Sequence, residues 1–296
     1  MRRWAVYAVP VLIGLVAVEA ALRAFGLRDH PLFVTDARYE YLMAPQQDVR
    51  YGRIRYTTNE LGLRNGPITR KKGRRALVLG DSVINGGQQT TQDSLATALA
   101  QALTGVELIN ASAASWGPDN AMAFLRAHGL FDADAVIAVF SSHDAYDRMT
   151  FEPIVGMHPA YPAHRPAFAL SLVVDRALYR AGLGHRPARE RGSFVRGWRD
   201  LRDTCATMGI PFTVLLHPEL GELAMGHYDE RGRRILDSLS AWRVPVVELL
   251  QRMDSTLYTD RIHLNDAGQR QLATALASVL EGTSTNTFGR APRPSP

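Results

Sequence analysis

Five short apolar runs recur along the chain, at residues 76–79, 106–109, 135–140, 211–216 and 244–249. Short, mostly apolar runs of this length are typical of strands that are buried on both faces of a parallel sheet. Helical patterns lie between and after them, at about 92–104, 119–130, 191–208, 229–241 and 266–281. Strands that alternate with helices in this way predict an α/β fold, a three-layer α/β/α sandwich around a five-stranded parallel sheet.

Another apolar segment lies at the N-terminus, and it is much longer than the five short runs. Two arginines precede an uncharged run from Trp4 to Val18, which as a helix is ~22 Å long and so shorter than the ~30 Å hydrocarbon core of a bilayer. Extension to Leu22 spans the core if Glu19 lies near the interface, paired with Arg23 at i+4. The pattern therefore predicts an N-terminal transmembrane helix over residues 1–26.

A cleaved signal peptide is the alternative for this segment. Val18 and Ala20 are small residues that suit the two key positions before a cleavage site. We favour the uncleaved anchor because the helical pattern continues through Ala24 without a break. Both interpretations put the rest of the chain outside the cytoplasm, with the arginine-flanked end inside. We expect a single-pass protein of the inner (cytoplasmic) membrane whose main domain is extracytoplasmic (periplasmic).

The remainder of the chain divides by composition. Residues 27–73 are polar and rich in tyrosine, with scattered Pro and Gly, and are interpreted as an extracytoplasmic lead-in. Residues 74–281 carry the alternating pattern and form the main domain. Within it, residues 145–190 hold five prolines and three histidines and predict an insertion that acts as a lid or specificity element. Residues 282–296, rich in Thr, Ser, Pro and Arg, predict a disordered tail.

Charge and cysteine content argue against a nucleic-acid partner and exclude an internal disulfide. The net charge is +5, and 32 of the 34 basic residues are arginine, since only Lys71 and Lys72 are lysine. No zinc-ligand spacing and no basic stripe interleaved with aromatic residues accompanies this charge, so we expect no nucleic-acid partner. The single cysteine, Cys205, excludes an internal disulfide.

Candidate chemistry lies at the two ends of the main domain. Gly80-Asp81-Ser82 follows the first apolar run, and the glycine allows a tight turn that leaves Ser82 at the carboxyl edge of the sheet. Asp260 and His263 lie three residues apart in a loop before the last helix, so the carboxylate can hold the imidazole tautomer whose Nε2 faces the serine. Ser82 as a helix N-cap, and Asp254 as a rival partner for the histidine, are the competing interpretations.

These blocks resemble the SGNH/GDSL hydrolase superfamily over about residues 74–281. Gly80-Asp81-Ser82 resembles the first block, Gly117 in 110–117 matches the glycine of the second, and Asp260-Arg261-Ile262-His263 resembles the last. The third block, normally Gly-x-Asn-Asp, is here 141–144, with sequence Ser-Ser-His-Asp, so its glycine and asparagine are absent.

The resemblance implies a role for each matched residue. Ser82 is then the nucleophile, His263 the base and Asp260 the group that orients it, while the oxyanion rests on the N–H groups of Ser82 and Gly117. Gly117 as a turn glycine before a proline is the alternative. His143 replaces the family asparagine, and either donates a ring N–H to the oxyanion or marks a fold retained for binding.

Two further positions remain ambiguous. Asn59-Glu60-Leu61-Gly62-Leu63-Arg64 resembles an element found just upstream of Gly-Asp-Ser in membrane-anchored bacterial members, and we expect it either to pack along the sheet edge near the site or to form a plain turn. His217 follows the fourth apolar run at the catalytic edge, but together with Pro218 it is interpreted first as part of a turn.

The function predicted is that of an extracytoplasmic serine esterase, which removes acyl groups, acetyl foremost, from a polysaccharide, glycan or lipid. No metal or organic cofactor is implied. An O-acyltransferase that passes the acyl group to a polysaccharide hydroxyl would use the same three residues. A non-catalytic glycan-binding or assembly protein on a decayed hydrolase fold is the alternative from another class.

Overall fold

The computed structural model describes residues 2–184 and 193–285. It begins with helix α1 (Arg2–Ala24), in which the segment Tyr7–Ala24 has a mean hydropathy of 1.7 and is not buried against the rest of the chain. By length and composition this helix can cross a membrane, a test that an N-terminal signal sequence also passes.

The lead-in folds into two small antiparallel hairpins that the sequence patterns did not predict. The first pairs β1 (Phe33–Asp36) with β2 (Glu40–Met43), and the second pairs β3 (Asp48–Tyr51) with β4 (Ile54–Thr57). Their inward side chains join the core of the main domain, among them Phe33, Tyr41, Leu42, Val49 and Tyr56. The lead-in therefore packs on the main domain instead of standing apart from it.

The predicted five-stranded parallel sheet is confirmed. Its strands are β5 (Arg75–Gly80), β6 (Glu107–Ser112), β7 (Ala135–Ser141), β8 (Phe212–His217) and β9 (Val246–Glu248), in the spatial order β6-β5-β7-β8-β9. The last strand is shorter than the predicted run 244–249. Pro245 has no N–H to donate to a ladder, and only its carbonyl is used, accepting from Val214 N at 3.0 Å.

Helices cover both faces of the sheet. After α1 they are α2 (Ser82–Asn85), α3 (Ala96–Thr104), α4 (Pro118–His128), α5 (Ala169–Arg180), α6 (Gly197–Met208), α7 (Leu220–Met225), α8 (Glu230–Ala241) and α9 (Asp266–Thr285). The strands alternate their side chains between two cores: Leu77 and Leu79 face the core under α4, α6 and α8, and Ala76 and Val78 face the core under α3 and α9. Because both faces are covered, the strands carry no polar alternation.

Several boundaries differ from the sequence prediction. The predicted helix 92–104 is a 3-10 turn at Gln92–Ser94, followed by α3, because Leu95 between them is extended. The predicted helix 191–208 begins at Gly197 in α6, and its first two residues lie outside the described ones. Helices α5 and α7 were not predicted.

Two of the predicted segments are described only in part. The insertion is described as far as residue 184 and is irregular until α5. Of the predicted tail, α9 includes residues 282–285, and the rest lies outside the described residues.

Candidate active site

The structure brings Ser82, His263 and Asp260 together at the carboxyl edge of the sheet. Ser82 Oγ lies 2.9 Å from His263 Nε2, and His263 Nδ1 lies 2.8 Å from Asp260 Oδ2. The carboxylate accepts the Nδ1 proton, so Nε2 is the acceptor for the serine hydroxyl. The His263 and Asp260 side chains are 24% and 47% exposed, and the group therefore opens to solvent.

Ser82 is not the N-cap of the helix that it begins. The cap is Asp81, whose Oδ1 accepts a hydrogen bond of 2.8 Å from Val83 N. Asp81 supplies the capping oxygen that a helix start requires, and this leaves the Ser82 hydroxyl for His263.

Asp260 is fixed by the backbone of its own loop. Its Oδ1 accepts from Ile262 N at 3.0 Å and from His263 N at 2.9 Å. Burial would raise the pKa of this carboxyl, but the two N–H groups and the His263 ring outweigh burial and lower the pKa. Asp254 instead caps a turn by accepting from Thr256 N at 2.8 Å. Among the described residues, Asp260 is thus the carboxylate paired with His263.

His217 supports the histidine loop, a role that sequence analysis missed. Its buried ring stacks on Tyr258 with centroids 5.4 Å apart, and its Nε2 donates to the Ile262 carbonyl at 2.9 Å. Burial lowers the pKa of His217 to about 4, so the ring is neutral near pH 7 and holds one donor proton. The His217 ring therefore fixes the backbone of Ile262, the residue next to His263.

Helix α2, which begins with Ser82, is held by side chains from three distant segments. The carbonyl of Val83 accepts from Gln269 Nε2 at 3.0 Å, and that of Ile84 accepts from Asn110 Nδ2 at 3.0 Å. The carbonyl of Asn85 accepts from Arg64 at 2.8 Å. A helix of four residues leaves its last carbonyls without intrahelical partners, and these side chains satisfy them.

The segment 59–64 forms a turn and also packs near the candidate site. Asn59 Oδ1 accepts from Leu61 N and Leu63 N, each at 3.0 Å, which forms the predicted turn. Beyond that turn the Arg64 guanidinium is buried over the Tyr56 ring and also donates to the Thr90 carbonyl at 2.9 Å. Burial lowers the pKa of Arg64 to about 10, which leaves it charged at neutral pH. The arginine joins the lead-in to the loop behind Ser82.

The Gly117 N–H, predicted as an oxyanion donor, already has an acceptor. It donates to Asn120 Oδ1 at 3.0 Å at the start of α4. A Cβ at this glycine would lie 2.8 Å from the Asp147 carbonyl oxygen, so close packing also requires glycine here. Two residues earlier, Ser115 is exposed and has a left-handed backbone with φ of 61°. Among the described residues, neither the Ser82 N–H nor the Ser115 N–H has an acceptor.

His143 lies among three carboxyl groups. Its Nδ1 is 3.5 Å from Glu219 Oε1, and its Nε2 is 3.7 Å from Asp144 Oδ1 and 3.8 Å from Asp81 Oδ2. Burial would lower the pKa of this imidazole, but the negative charges of Asp144, Glu219 and Asp81 raise it to about 10. The ring is thus a cation, in contrast to the neutral donor of the sequence prediction.

The two aspartates facing His143 are fully buried. Asp81 Oδ2 and Asp144 Oδ1 accept no hydrogen bond from the described residues, and burial raises the pKa of both carboxyls. With His143 they offer three ligand atoms within 4.8 Å of one another, a set that could hold a metal ion. A metal would have to displace the proton that His143 carries.

No family model and no curated protein matches the chain. Among solved structures it is similar to a lipase/acylhydrolase from Enterococcus faecalis, with TM-score 0.47 and 15% identity over 71% of this chain and 97% of that one. It is also similar to an aryl esterase from M. smegmatis (TM-score 0.43, 16% identity, 71% and 99% covered). A third similar structure is a carbohydrate acetylesterase from Sinorhizobium meliloti, with TM-score 0.41 and 15% identity over 71% of this chain and 100% of that one. The likeness is one of fold.

Proposed function

We propose that this chain is a serine ester hydrolase of the SGNH/GDSL type. The observation that carries the proposal is the line of contacts from Ser82 Oγ to His263 Nε2 and from His263 Nδ1 to Asp260 Oδ2, at 2.9 and 2.8 Å. A hydroxyl, an imidazole and a carboxylate in this order make a serine nucleophilic at neutral pH. An intact set of this kind also argues against a purely binding role.

The chemistry proceeds in two halves. In the first, Ser82 Oγ attacks the acyl carbonyl while His263 Nε2 takes the hydroxyl proton, and a tetrahedral oxyanion forms. As it collapses, the bond to the alcohol oxygen breaks, and His263 gives its proton to the leaving alcohol. In the second half, water attacks the acyl-serine, His263 again acts as base, and the carboxylic acid leaves with Ser82 restored. Asp260 stays ionised and stabilises the imidazolium throughout.

The oxyanion is best served by donors that have no other acceptor. We assign the N–H groups of Ser82 and Ser115 to this role, because the two residues follow the carboxyl ends of the paired strands β5 and β6 and both N–H groups are without an acceptor among the described residues. The Gly117 N–H joins them only if it gives up its bond to Asn120.

The helix α1 is proposed as a retained membrane anchor, with the catalytic domain outside the cytoplasm. Cleavage after Ala20 would remove Glu19, whose carboxylate accepts from Ala169 N and Leu170 N at 2.9 Å each. Arg23 donates to Glu19 and to the Ala167 carbonyl. These bonds connect the helix to the folded domain, which favours a retained anchor over a cleaved signal peptide.

The substrate class proposed is an acylated glycan or lipid, with acetyl as the first group to test. Ser82 is half-buried and Asp260 is half-exposed, so a bulky ester can approach the site from solvent. Transfer of the acyl group to a sugar hydroxyl would use the same acyl-serine. The two outcomes differ in the acceptor, water or alcohol, that resolves the acyl-serine.

The proposal is tested by hydrolysis of p-nitrophenyl acetate by the full-length protein in detergent. The Ser82→Ala variant should lose the activity, with kcat falling by on the order of 10³-fold or more. Ser238→Ala is the matched control, because Ser238 is a half-buried helical serine whose hydroxyl donates to the Arg234 carbonyl of its own helix, and it should retain full activity. Equal activity in wild type and Ser82→Ala would contradict the proposal.

A further inference from the structure

Helix α5 presents an apolar face to solvent. Leu170, Val173, Val174, Ala177 and Leu178 recur at the three- and four-residue spacing that lines up one face of a helix. Val173, Val174 and Leu178 are 41%, 47% and 44% exposed. Phe168, just before the helix, and Leu183, just after it, are two more exposed apolar side chains. Contiguous exposed apolar surface of this kind marks a site of contact.

The opposite face of α5 packs on the protein. Ala169 and Leu172 are buried, and the Tyr179 ring lies 4.3 Å from that of His158. The helix therefore buries one apolar side, with Ala169 and Leu172, and exposes a second apolar side, with Val173, Val174 and Leu178. An exposed apolar face of this kind favours an apolar surrounding on its outer side.

The position of α5 next to α1 identifies that surrounding. Glu19 of α1 accepts from the first N–H groups of α5, as described above, and lies five residues before the end of the candidate span at Ala24. At 1.5 Å per residue the start of α5 therefore lies ~7.5 Å below the end of that span. Interfacial amphipathic helices bury their apolar face ~5–10 Å into the headgroup and acyl boundary.

A short chain of contacts joins α5 to the candidate catalytic residues. The Arg176 guanidinium lies over the Tyr51 ring, with 5.0 Å to its centroid, and donates to Tyr51 Oη and to Gln88 Oε1. Gln88 follows Gly87, where an added Cβ would lie 3.8 Å from His263 Cδ2. The helix with the exposed apolar face is thus in contact with the loop against the catalytic histidine.

We propose that α5 is a second membrane-binding element, which lies in the bilayer interface with its apolar face toward the acyl chains. The partner is a lipid bilayer, and the consequence is that the catalytic edge of the domain is held at the membrane surface. The proposal rests on the placement of α1 in the membrane, and it is independent of ester hydrolysis.

The test measures the depth of single residues in the full-length protein, reconstituted in nanodiscs of phosphatidylcholine and phosphatidylglycerol. Val174→Cys and, separately, Leu178→Cys carry an environment-sensitive fluorophore, and lipids with a nitroxide on the acyl chain serve as quenchers. The native Cys205 is buried. Met208→Cys, 61% exposed at the end of α6, is the control for a water-facing site, and Val11→Cys in α1 is the control for insertion.

Both α5 probes should show blue-shifted emission and loss of fluorescence with the nitroxide lipid, as at Val11, whereas the probe at Met208 shows neither. Quenching at Val11 with none at either α5 position would overturn this proposal and leave the anchor intact. A blue shift at Val174 without lipid quenching would mean that protein covers the helix, which also overturns it. No quenching at Val11 would overturn the anchor and this proposal together.

Discussion

Arg64 donates a 2.8 Å hydrogen bond to the carbonyl of Asn85, the last residue of the helix that begins with Ser82. The two residues lie 21 positions apart, in the lead-in and in the main domain. This bond makes the lead-in part of the support for the helix that carries Ser82.

Replacing Arg64 with Met should therefore lower both stability and activity. The carbonyls of Asn85 and Thr90 lose their charged donor, and leaving buried acceptors unpaired costs on the order of 3 kcal/mol in the free energy of unfolding. Urea denaturation and kcat measure the two effects. Arg55→Met is the control, because the exposed Arg55–Asp48 pair is worth ~0–1 kcal/mol. Equal losses in the two variants would show that Arg64 is an ordinary surface arginine.

Substitution of Asp260 and of Asp254 should have clearly different effects on kcat. Asp260→Asn removes the acceptor for the His263 Nδ1 proton and should lower kcat by on the order of 10²–10⁴-fold, with a small change in KM. Asp254→Asn affects only a turn cap, and its kcat should stay near that of wild type. If Asp254→Asn is the slower variant, the assignment of the orienting carboxylate is wrong.

Ser115 tests the assignment of the oxyanion donors. Its left-handed backbone suits glycine, so Ser115→Gly should keep the N–H in place and retain activity. A β-branched residue is strained at this φ, and Ser115→Val should displace the N–H and lower kcat by about 10²-fold with KM little changed. If Ser115→Val is as active as Ser115→Gly, the oxyanion does not depend on this loop.

The charge on His143 predicts a specific pH dependence of stability. Its pKa is about 10 in the folded protein against an ordinary 6.5, so proton binding favours the folded state. The resulting stabilisation is complete below pH 6.5 and is lost as the pH rises to about 10. Urea denaturation across this range should show a decline in the wild type that is reduced in His143→Asn. Parallel curves for the two proteins would contradict a cationic His143.

The sequence predicted the sheet and the contact between Asp260 and His263 because both rest on local patterns. Runs such as 135–140 are apolar throughout, since both faces of the strand are covered, and this signal needs no knowledge of the partner. Asp260 and His263 interact within one loop, so their spacing alone predicts the contact.

What the sequence did not predict depends on distant partners. Asn110 and Gln269 lie inside a strand and a helix, where a polar residue gives no sign that it will bond to the carbonyls of α2. The charge of His143 likewise follows from its neighbour Asp144 together with Glu219 and Asp81, and only the fold brings the last two near. Helix α5 was missed because its apolar face points outward, within a segment that prolines and histidines marked as irregular.

The most direct test of the account is covalent labelling of the full-length protein with a fluorophosphonate, followed by intact mass measurement and peptide mapping. The account predicts one adduct, on Ser82, because His263 at 2.9 Å activates that hydroxyl alone. Labelling should fall strongly in His263→Ala, which leaves Ser82 present but without its base. An adduct on another serine, or undiminished labelling of Ser82 in His263→Ala, would contradict the catalytic assignment.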